Sequence, residues 1–220
     1  MQAIDLYCER TGPGLWSEPV NALTNAAFFL AAWLIWRLDR GSGSPHPAVN
    51  MLIVLLVAIG TGSTAFHVFA NGETVLLDIV PIGLFILGYI WCYLRQVLAV
   101  AATPAIGILI LTLGAALAIR PYAELLNGSL FYAPALAAVS GLGLIHLLQN
   151  RRARYELPAA AGVFALALTF RTIDNQVCAA FPLGTHFLWH CLNALAAYLA
   201  LRALVANLPH QSRCPGKVGL

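Results

Sequence analysis

Three histidines and one aspartate interrupt stretches of sequence that are otherwise apolar. Ser63 and His67 are four residues apart, as are His186 and His190, and Asp78 follows the first pair after one short polar break. A spacing of four places two side chains on one face of a helix. Ionisable residues within membrane-length apolar segments are costly and commonly mark a functional site. These five residues are therefore the candidates for chemistry.

Zinc is the metal that this set of side chains suits best. A catalytic zinc site has three protein ligands and an open fourth position, and three histidines meet that need. We predict that His67, His186 and His190 bind Zn²⁺. Asp78 would then take a proton from a water whose pKa the metal lowers to about 7. The alternative is that each histidine is a hydrogen-bonded packing residue, but accidental joint placement of all four residues is the weaker explanation.

The composition places the chain in a membrane. Of its 220 residues, 60% are hydrophobic and only 10% are charged, and the mean hydropathy is +0.79. A soluble domain carries about 25% charged residues, and a disordered chain is more polar still. The net charge is only +3, and the basic residues are scattered. Soluble and disordered classes are therefore excluded, and no nucleic-acid-binding surface is expected.

Seven stretches are apolar and long enough to suggest helices that cross a membrane, which takes about 20 residues. The predicted fold class is an all-α membrane protein, a seven-transmembrane helix bundle. Residues 1–220 are predicted to form a single domain, with an extramembrane amino-terminal segment (1–21) and a cytoplasmic tail (206–220). The spans are predicted near Ala22–Trp36, Val49–Phe69, Val75–Leu94, Leu98–Ile119, Leu130–Leu148, Pro158–Thr172 and Gly184–Val205.

The basic residues predict the orientation, since short loops that carry them stay in the cytoplasm. They concentrate on alternate loops, which places the amino terminus outside and the carboxyl terminus in the cytoplasm. His67, Asp78, His186 and His190 then lie at one level near the outer face. The cytoplasmic set is Arg37, Arg40, Arg95, Arg151, Arg152, Arg154, Arg202, Arg213 and Lys217.

This ordered set of residues resembles the alkaline ceramidase family. The matching elements, on the second, third and seventh spans, are Ser63-x-x-x-His67, Asp78 and Gly184-x-His186-x-x-Trp189-His190. The family belongs to a superfamily of intramembrane hydrolases that also contains the adiponectin receptors and haemolysin III-like proteins. The resemblance implies a zinc-dependent amidohydrolase that splits ceramide, or a related N-acyl sphingoid lipid, into a fatty acid and a sphingoid base.

Amide hydrolysis assigns a role to each polar residue of the set. Asp78 would take the proton of the attacking water and later deliver it to the leaving amine. Ser63, one turn before His67, would donate a hydrogen bond to the oxyanion, or orient Asp78 or the water. The expected partners are a ceramide-like lipid and the bilayer itself. A bacterial inner membrane, with the site toward the periplasm, is the expected location.

The amino-terminal segment is similar to the one with which alkaline ceramidases bind Ca²⁺. The resemblance implies a structural or regulatory calcium site, and calcium takes six to eight oxygen ligands. Thr11 stands where the family usually has Asn, and Asp5 precedes Cys8 by three residues rather than two. The alternative is an acidic extracellular cap. The implied calcium ligands are the Tyr7 carbonyl, the Glu9 carboxylate, the Thr11 side chain and the Glu18 carboxylate.

Two of the five cysteines are expected on the oxidising outer side, where disulfides persist. Cys8 and Cys178 are therefore predicted to pair, and the family resemblance implies the same bridge. Of the other polar residues, His46 and His210 are expected in solvent. Arg171 and Asp174, three apart at the end of the sixth span, are expected to form a salt bridge, with a direct role in substrate binding as the alternative.

Two other interpretations compete with the amidase. The first is an adiponectin-receptor-like or haemolysin III-like protein, in which the zinc site acts on another lipid or serves a receptor role. The calcium-type segment argues against it, because adiponectin receptors lack that segment. The second is a transporter with a proton relay. It ranks last, because no internal repeat is visible and the ionisable cluster lies near one face.

Overall fold

The computed structural model of the protein describes residues 4–41, 45–122 and 124–209. This part of the chain is helical and contains no strand. Seven of its helical segments are long and apolar enough to cross a membrane, which confirms the predicted fold class and number of spans. The segments are Pro19–Gly41, Pro47–Phe69, Gly72–Val97, Ala102–Tyr122, Leu125–Leu148, Glu156–Val177 and His186–Asn207.

Eight α-helices, numbered in chain order, make up these spans in the described residues, because the first span divides into two helices. A π-helical turn, Tyr93–Val97, extends the third span, and a kinked 3₁₀ segment, Leu125–Tyr132, opens the fifth. The α-helices are α1 (Pro19–Thr24), α2 (Ala26–Gly41), α3 (Pro47–Phe69), α4 (Gly72–Cys92), α5 (Ala102–Ile119), α6 (Ala133–Leu148), α7 (Glu156–Val177) and α8 (His186–Asn207).

The first and sixth spans extend beyond their predicted ends, Trp36 and Thr172. The added turns contain Asp39 and Asp174, which are both fully buried. Asp39 accepts a hydrogen bond from the His46 backbone at 3.0 Å, and its Oδ1 lies 2.8 Å from His46 Nδ1. Because partners elsewhere in the fold satisfy these carboxylates, they do not end the helices. The expectation that His46 is solvated is wrong, and His210 lies outside the described residues.

Close contact between α3 and α4 brings the second and third spans together at the level of the candidate residues. Gly62 makes this contact possible, since a Cβ added there would overlap the carbonyl group of Leu77. Small residues allow helix backbones in membranes to approach in this way. Gly62 directly precedes Ser63, and Leu77 directly precedes Asp78, so the contact sets the separation of the two polar side chains.

The start of α4 is defined by its own sequence. The Asn71 side chain accepts hydrogen bonds from the backbone N–H groups of Glu73 and Thr74, and the Thr74 hydroxyl accepts one from the Asn71 backbone. This reciprocal pattern is a capping box, which satisfies donors that the first turn of a helix leaves unpaired. The cap starts the helix nearly two turns before Asp78 and thereby sets the depth of that carboxylate.

Candidate metal centre and apolar cavity

The three predicted zinc ligands meet at one place. His67 lies near the end of α3, and His186 and His190 lie on the first two turns of α8. One ring nitrogen of each lies within 4.8 Å of the others, and all three residues are buried. Among the described residues this is the one such group of three or more histidine, cysteine or acidic side chains. The spacing in sequence therefore corresponds to a real cluster.

The partners of His67 and His190 define which ring nitrogens face inward. His67 Nδ1 donates to Glu18 Oε2 at 2.5 Å. His190 Nδ1 lies 3.0 Å from Thr24 Oγ1, whose own hydrogen is directed at a backbone carbonyl of α1. The threonine oxygen therefore accepts from His190 Nδ1. Both rings then carry their proton on Nδ1, which leaves both Nε2 lone pairs for another partner.

The two Nε2 atoms of His67 and His190 are 3.1 Å apart. Two lone pairs at that distance repel each other unless a cation lies between them. Nitrogens bound to one tetrahedral zinc at about 2.0–2.1 Å lie about 3.3–3.4 Å apart. His186 Nδ1 is also buried without a hydrogen-bond partner, which is unusual for a polar atom in a complete structure. The donor set therefore fits a metal ion.

The first turn of α8, which carries His186, is held by a buried carboxylate from α7. Asp174 Oδ1 accepts from the backbone N–H groups of Thr185 at 2.6 Å and His186 at 2.9 Å, and Oδ2 accepts from the Cys8 N–H at 3.1 Å. Gly184 has φ +68°, and a Cβ there would overlap Asp174 and Cys8. Glycine is thus required where the chain enters the helix.

The structure joins Cys8 and Cys178 in a disulfide, as predicted. The bridge spans 170 residues of sequence and ties the amino-terminal segment to the end of α7. The segment is thereby held over the histidine cluster, where the Tyr7 ring stacks on the His186 ring with centroids 3.5 Å apart. Cys92 and Cys191 are free thiols.

Three of the four residues implied as calcium ligands make other contacts within the protein, and the fourth, Thr11, is exposed. Glu9 accepts from the backbone N–H groups of Val20 at 2.6 Å and Asn21 at 2.8 Å, and so caps α1. The Tyr7 carbonyl accepts from the Arg10 N–H at 3.1 Å. Both Glu18 oxygens are engaged, Oε1 by Arg10 and Oε2 by His67. With both carboxylates engaged in this way, the arrangement does not fit a calcium site.

Glu18 is an ionised carboxylate within this network. Burial alone would raise its pKa, but the hydrogen bonds and charges of His67 and Arg10 outweigh burial and hold the pKa below its ordinary value. Burial raises the pKa of Tyr7, so this phenol remains neutral and accepts a hydrogen bond from Arg171 at 2.7 Å.

Asp78 and Ser63 lie together at the wall of an apolar cavity. Ser63 is a side-chain hydrogen-bond partner of Asp78, and Asp78 Oδ1 is buried without a hydrogen-bond partner. The cavity and its open mouth together enclose about 780 Å³ of empty space. His190 and Asn193 are the other polar residues of its wall, and the remaining wall is apolar or aromatic and extends as far as Ala200.

Arg171 is a residue whose setting the sequence did not reveal. No ion pair joins it to Asp174, so that expectation is wrong. Its guanidinium instead lies 5.3 to 5.8 Å from the ring centroids of Tyr7, Tyr132 and Trp189. A cation over aromatic faces is stabilised by their quadrupoles. The position of an arginine inside a span was the available signal, but its three ring partners come from separate elements.

Fold and site together define an integral membrane protein with a buried three-histidine cluster beside an apolar cavity. The sequence model of the ceramidase family matches residues 12–213. The chain therefore belongs to the ceramidase family, as the resemblance implied. Membership implies an amidohydrolase that acts on a lipid. A comparison with curated proteins finds no match.

Proposed function

We propose that this protein is a zinc-dependent intramembrane ceramidase. It hydrolyses the amide bond of ceramide, or of a related N-acyl sphingoid lipid, to a free fatty acid and a sphingoid base. The observation that carries the proposal is the pair of inward-facing Nε2 lone pairs of His67 and His190, with His186 beside them, next to a cavity that Asp78 and Ser63 also line. Ceramidase membership supplies the substrate class.

His67, His186 and His190 would hold the zinc ion. When bound, zinc supplies Lewis-acid polarisation of the amide carbonyl and lowers the pKa of water. The protein itself orients the three histidine rings. Glu18 and Thr24 do so for His67 and His190 by accepting from Nδ1, an arrangement that is common around metal-binding histidines.

Asp78 acts as the general base and then as the general acid. Its Oδ1 has no partner in the protein and is available to accept a proton from the attacking water. The water oxygen bonds to the carbonyl carbon. When the carbon–nitrogen bond breaks, Asp78 returns the proton to the departing amine, so the carboxylate is regenerated in each turnover.

Ser63, which lies on α3 one turn before His67, supports this proton transfer. As a hydrogen-bond partner of Asp78, it orients the carboxylate. Its hydroxyl also lines the cavity, where it is available to donate to the oxyanion as charge develops on the carbonyl oxygen.

The apolar cavity holds the lipid chains of the substrate. Phe28, Ile82 and Phe164 contribute to its wall, so chain methylene groups that leave the bilayer meet another apolar surface. The polar amide then lies at the end where Ser63, Asp78 and His190 gather. The distribution of basic residues supports an outer location for this end, and we propose a bacterial inner membrane with the site toward the periplasm.

The decisive experiment is fatty-acid release from a fluorescent ceramide by the purified protein in detergent, beside His186→Ala, with zinc quantified in both. We expect hydrolysis and about one zinc per chain in the wild type, and loss of both in the variant. Bound zinc without hydrolysis of any N-acyl lipid would contradict the amidase. That result would favour the receptor-like or haemolysin-like alternative.

A further inference from the structure

An arginine is buried in the amino-terminal segment, beside the metal centre. Arg10 is 6% exposed. Its Nε donates to Glu18 Oε1 at 2.5 Å, its Nη1 to the Gly12 carbonyl at 3.2 Å and its Nη2 to the His67 carbonyl at 3.0 Å. One guanidinium thus gathers three oxygens from three parts of the chain. Arginine suits this task because its donors form a rigid planar fork.

Glu18 connects this guanidinium to a metal-binding ring. While Oε1 accepts from Arg10, Oε2 accepts from His67 Nδ1 at 2.5 Å and from the Asn21 side chain at 3.2 Å. The Arg10 and Glu18 side chains are each 1% exposed. A carboxylate buried to this extent requires a compensating positive charge and hydrogen bonds. Arg10 supplies both.

We infer that Arg10 is the resident cation of the amino-terminal segment, that it positions Glu18 against His67, and that the protein therefore needs no calcium. Arg10 makes the contacts with Glu18 and with carbonyl oxygens that a divalent cation would otherwise make. The link to zinc affinity rests on the proposed function, whereas independence from calcium does not.

The charges around Arg10 explain why the segment rejects a second cation. A Ca²⁺ ion requires six to eight oxygens. Of the two nearby glutamates, Glu18 already accepts hydrogen bonds from Arg10 and His67, and Glu9 accepts hydrogen bonds from backbone N–H groups in the first turn of α1. A calcium ion near Glu18 would also lie against the positive guanidinium, and like charges in a buried setting repel strongly.

Arg10 acts on the metal centre only through Glu18, so it is a positioning residue. Holding Glu18 Oε2 on His67 Nδ1 keeps the ring proton on that nitrogen and keeps Nε2 free for metal. Partners of this kind commonly change metal affinity by 10- to 100-fold when they are removed. Zinc affinity therefore reports the role of Arg10 without any measurement of turnover.

The calcium claim is tested on the unaltered protein. The zinc-loaded chain is dialysed free of calcium and titrated with calcium chloride by isothermal calorimetry, and its thermal unfolding midpoint is recorded with and without 5 mM calcium, about the concentration that fills weak extracellular sites. We expect no saturable heat and no shift in the midpoint. Binding of one calcium per chain with a raised midpoint would overturn the inference.

The positioning claim is tested with Arg10→Met, Arg10→Lys and the matched control Arg37→Met, since Arg37 is exposed on α2. Zinc dissociation constants are measured on folded protein by competition with a chelator. We expect the zinc dissociation constant to be about tenfold larger in Arg10→Met, to increase less in Arg10→Lys, and to be unchanged in the control. If the methionine variant does not fold, the lysine variant carries the test.

Two results separate failure of this inference from failure of the proposed function. A wild-type protein that binds no zinc would contradict the proposed function and the positioning claim together, while the calcium titration would still decide the calcium claim. A wild-type protein that binds zinc with the same affinity as a folded Arg10→Met or Arg10→Lys variant would overturn the positioning role alone. A purely structural arginine would lower the unfolding midpoint without changing that affinity.

Discussion

Asp78 and Thr24 illustrate two ways in which a single side chain serves the candidate site. Asp78 presents a buried oxygen that no protein donor satisfies, next to the cavity where the substrate amide is expected. Thr24 lies outside the predicted set, yet its hydroxyl oxygen accepts from the ring of His190. The first residue would act on the reacting atoms, and the second acts through a ligand. Their substitutions should therefore have different consequences.

Asp78→Asn should retain zinc and lose turnover. The amide has nearly the shape of the carboxylate but cannot accept the proton of water, and removal of general acid–base catalysis costs about 10²- to 10⁴-fold. Zinc content and kcat with ceramide are the measurements. The control is Glu73→Gln, an exposed acidic residue on the first turn of α4, which should match the wild type. Equal turnover in Asp78→Asn and the wild type would exclude Asp78 as the base.

Thr24→Val should weaken zinc binding while the fold is retained. Valine has the same shape but removes the hydroxyl oxygen that accepts from His190 Nδ1, and loss of such a partner costs about 10- to 100-fold in metal affinity. Chelator competition measures the effect. Thr61→Val is the matched control, because Thr61 is exposed on α3 and bonds only to the carbonyl of its own helix. If both variants bound zinc equally well, Thr24 would have no role at the metal.

At the scale of elements, the site depends on two close junctions. One is the contact of α3 with α4 at Gly62, which brings the Leu77 carbonyl against the helix. The other is the start of α8, where Asp174 caps the helix and the amino-terminal segment is tied down by the Cys8–Cys178 disulfide. Each junction sets the distance between site residues that lie on different elements of the chain.

Gly62→Ala should destabilise the protein by about 1–3 kcal/mol, the usual cost of overpacking. The added methyl group would push α4 away from α3 and should also separate Ser63 from Asp78, so turnover should fall more than zinc content. Unfolding in denaturant and ceramide hydrolysis are the measurements. Gly162→Ala is the control, since a Cβ at that helical position meets nothing within 4 Å. An unchanged Gly62→Ala variant would mean that α4 shifts at no cost.

Cys178→Ser should lower stability by about 2–5 kcal/mol, as is typical when a native disulfide is removed. It should also loosen the amino-terminal segment over His186, since Cys8 would lose its covalent tie to α7. Thermal unfolding with and without reductant measures the effect. Cys191→Ser serves as control because that thiol is free. Reductant should destabilise the wild type and the Cys191→Ser variant but leave Cys178→Ser unchanged; any other pattern would contradict the role of the bridge.

At the scale of the whole molecule, the bundle encloses a cavity that begins at polar residues near one end of α8, with His190, and extends to Ala200, nearly three turns further along the same helix. Ten residues of helix span about 15 Å, which corresponds to a substantial part of a lipid chain. The depth of the cavity should therefore limit the length of chain that the protein accepts.

Ala200→Phe should shift the preference toward short chains. The ring would fill the far end of the cavity, so long-chain ceramides should lose kcat/KM by about 10- to 200-fold, the range for steric discrimination in an apolar pocket, while zinc content is retained. Hydrolysis of a series of N-acyl chain lengths tests this. Leu195→Phe is the control, since Leu195 is an exposed residue of α8. Equal losses at all chain lengths would contradict the assignment of the cavity.

Local pattern alone was sufficient for the number of spans and for the identity of the histidine cluster. Apolar length is a property of consecutive residues, and a spacing of four places His186 and His190 on one helix face. The first and sixth spans are longer than predicted because their ends depend on contacts with distant residues and not on local pattern. Asp39 and Asp174 look like helix ends in sequence, but their hydrogen-bond partners lie seven to 166 residues away.

The sequence by itself thus determined an all-helical membrane protein with three histidines, an aspartate and a serine available for metal-assisted hydrolysis. Only the tertiary structure decided how the amino-terminal segment is used. Glu9 and Glu18 have the composition of a calcium site, but Arg10 contacts Glu18 and Glu9 caps α1. The sequence specifies which side chains are available as ligands. The partner of each carboxylate depends on which groups the fold buries beside it, because buried charges must be paired.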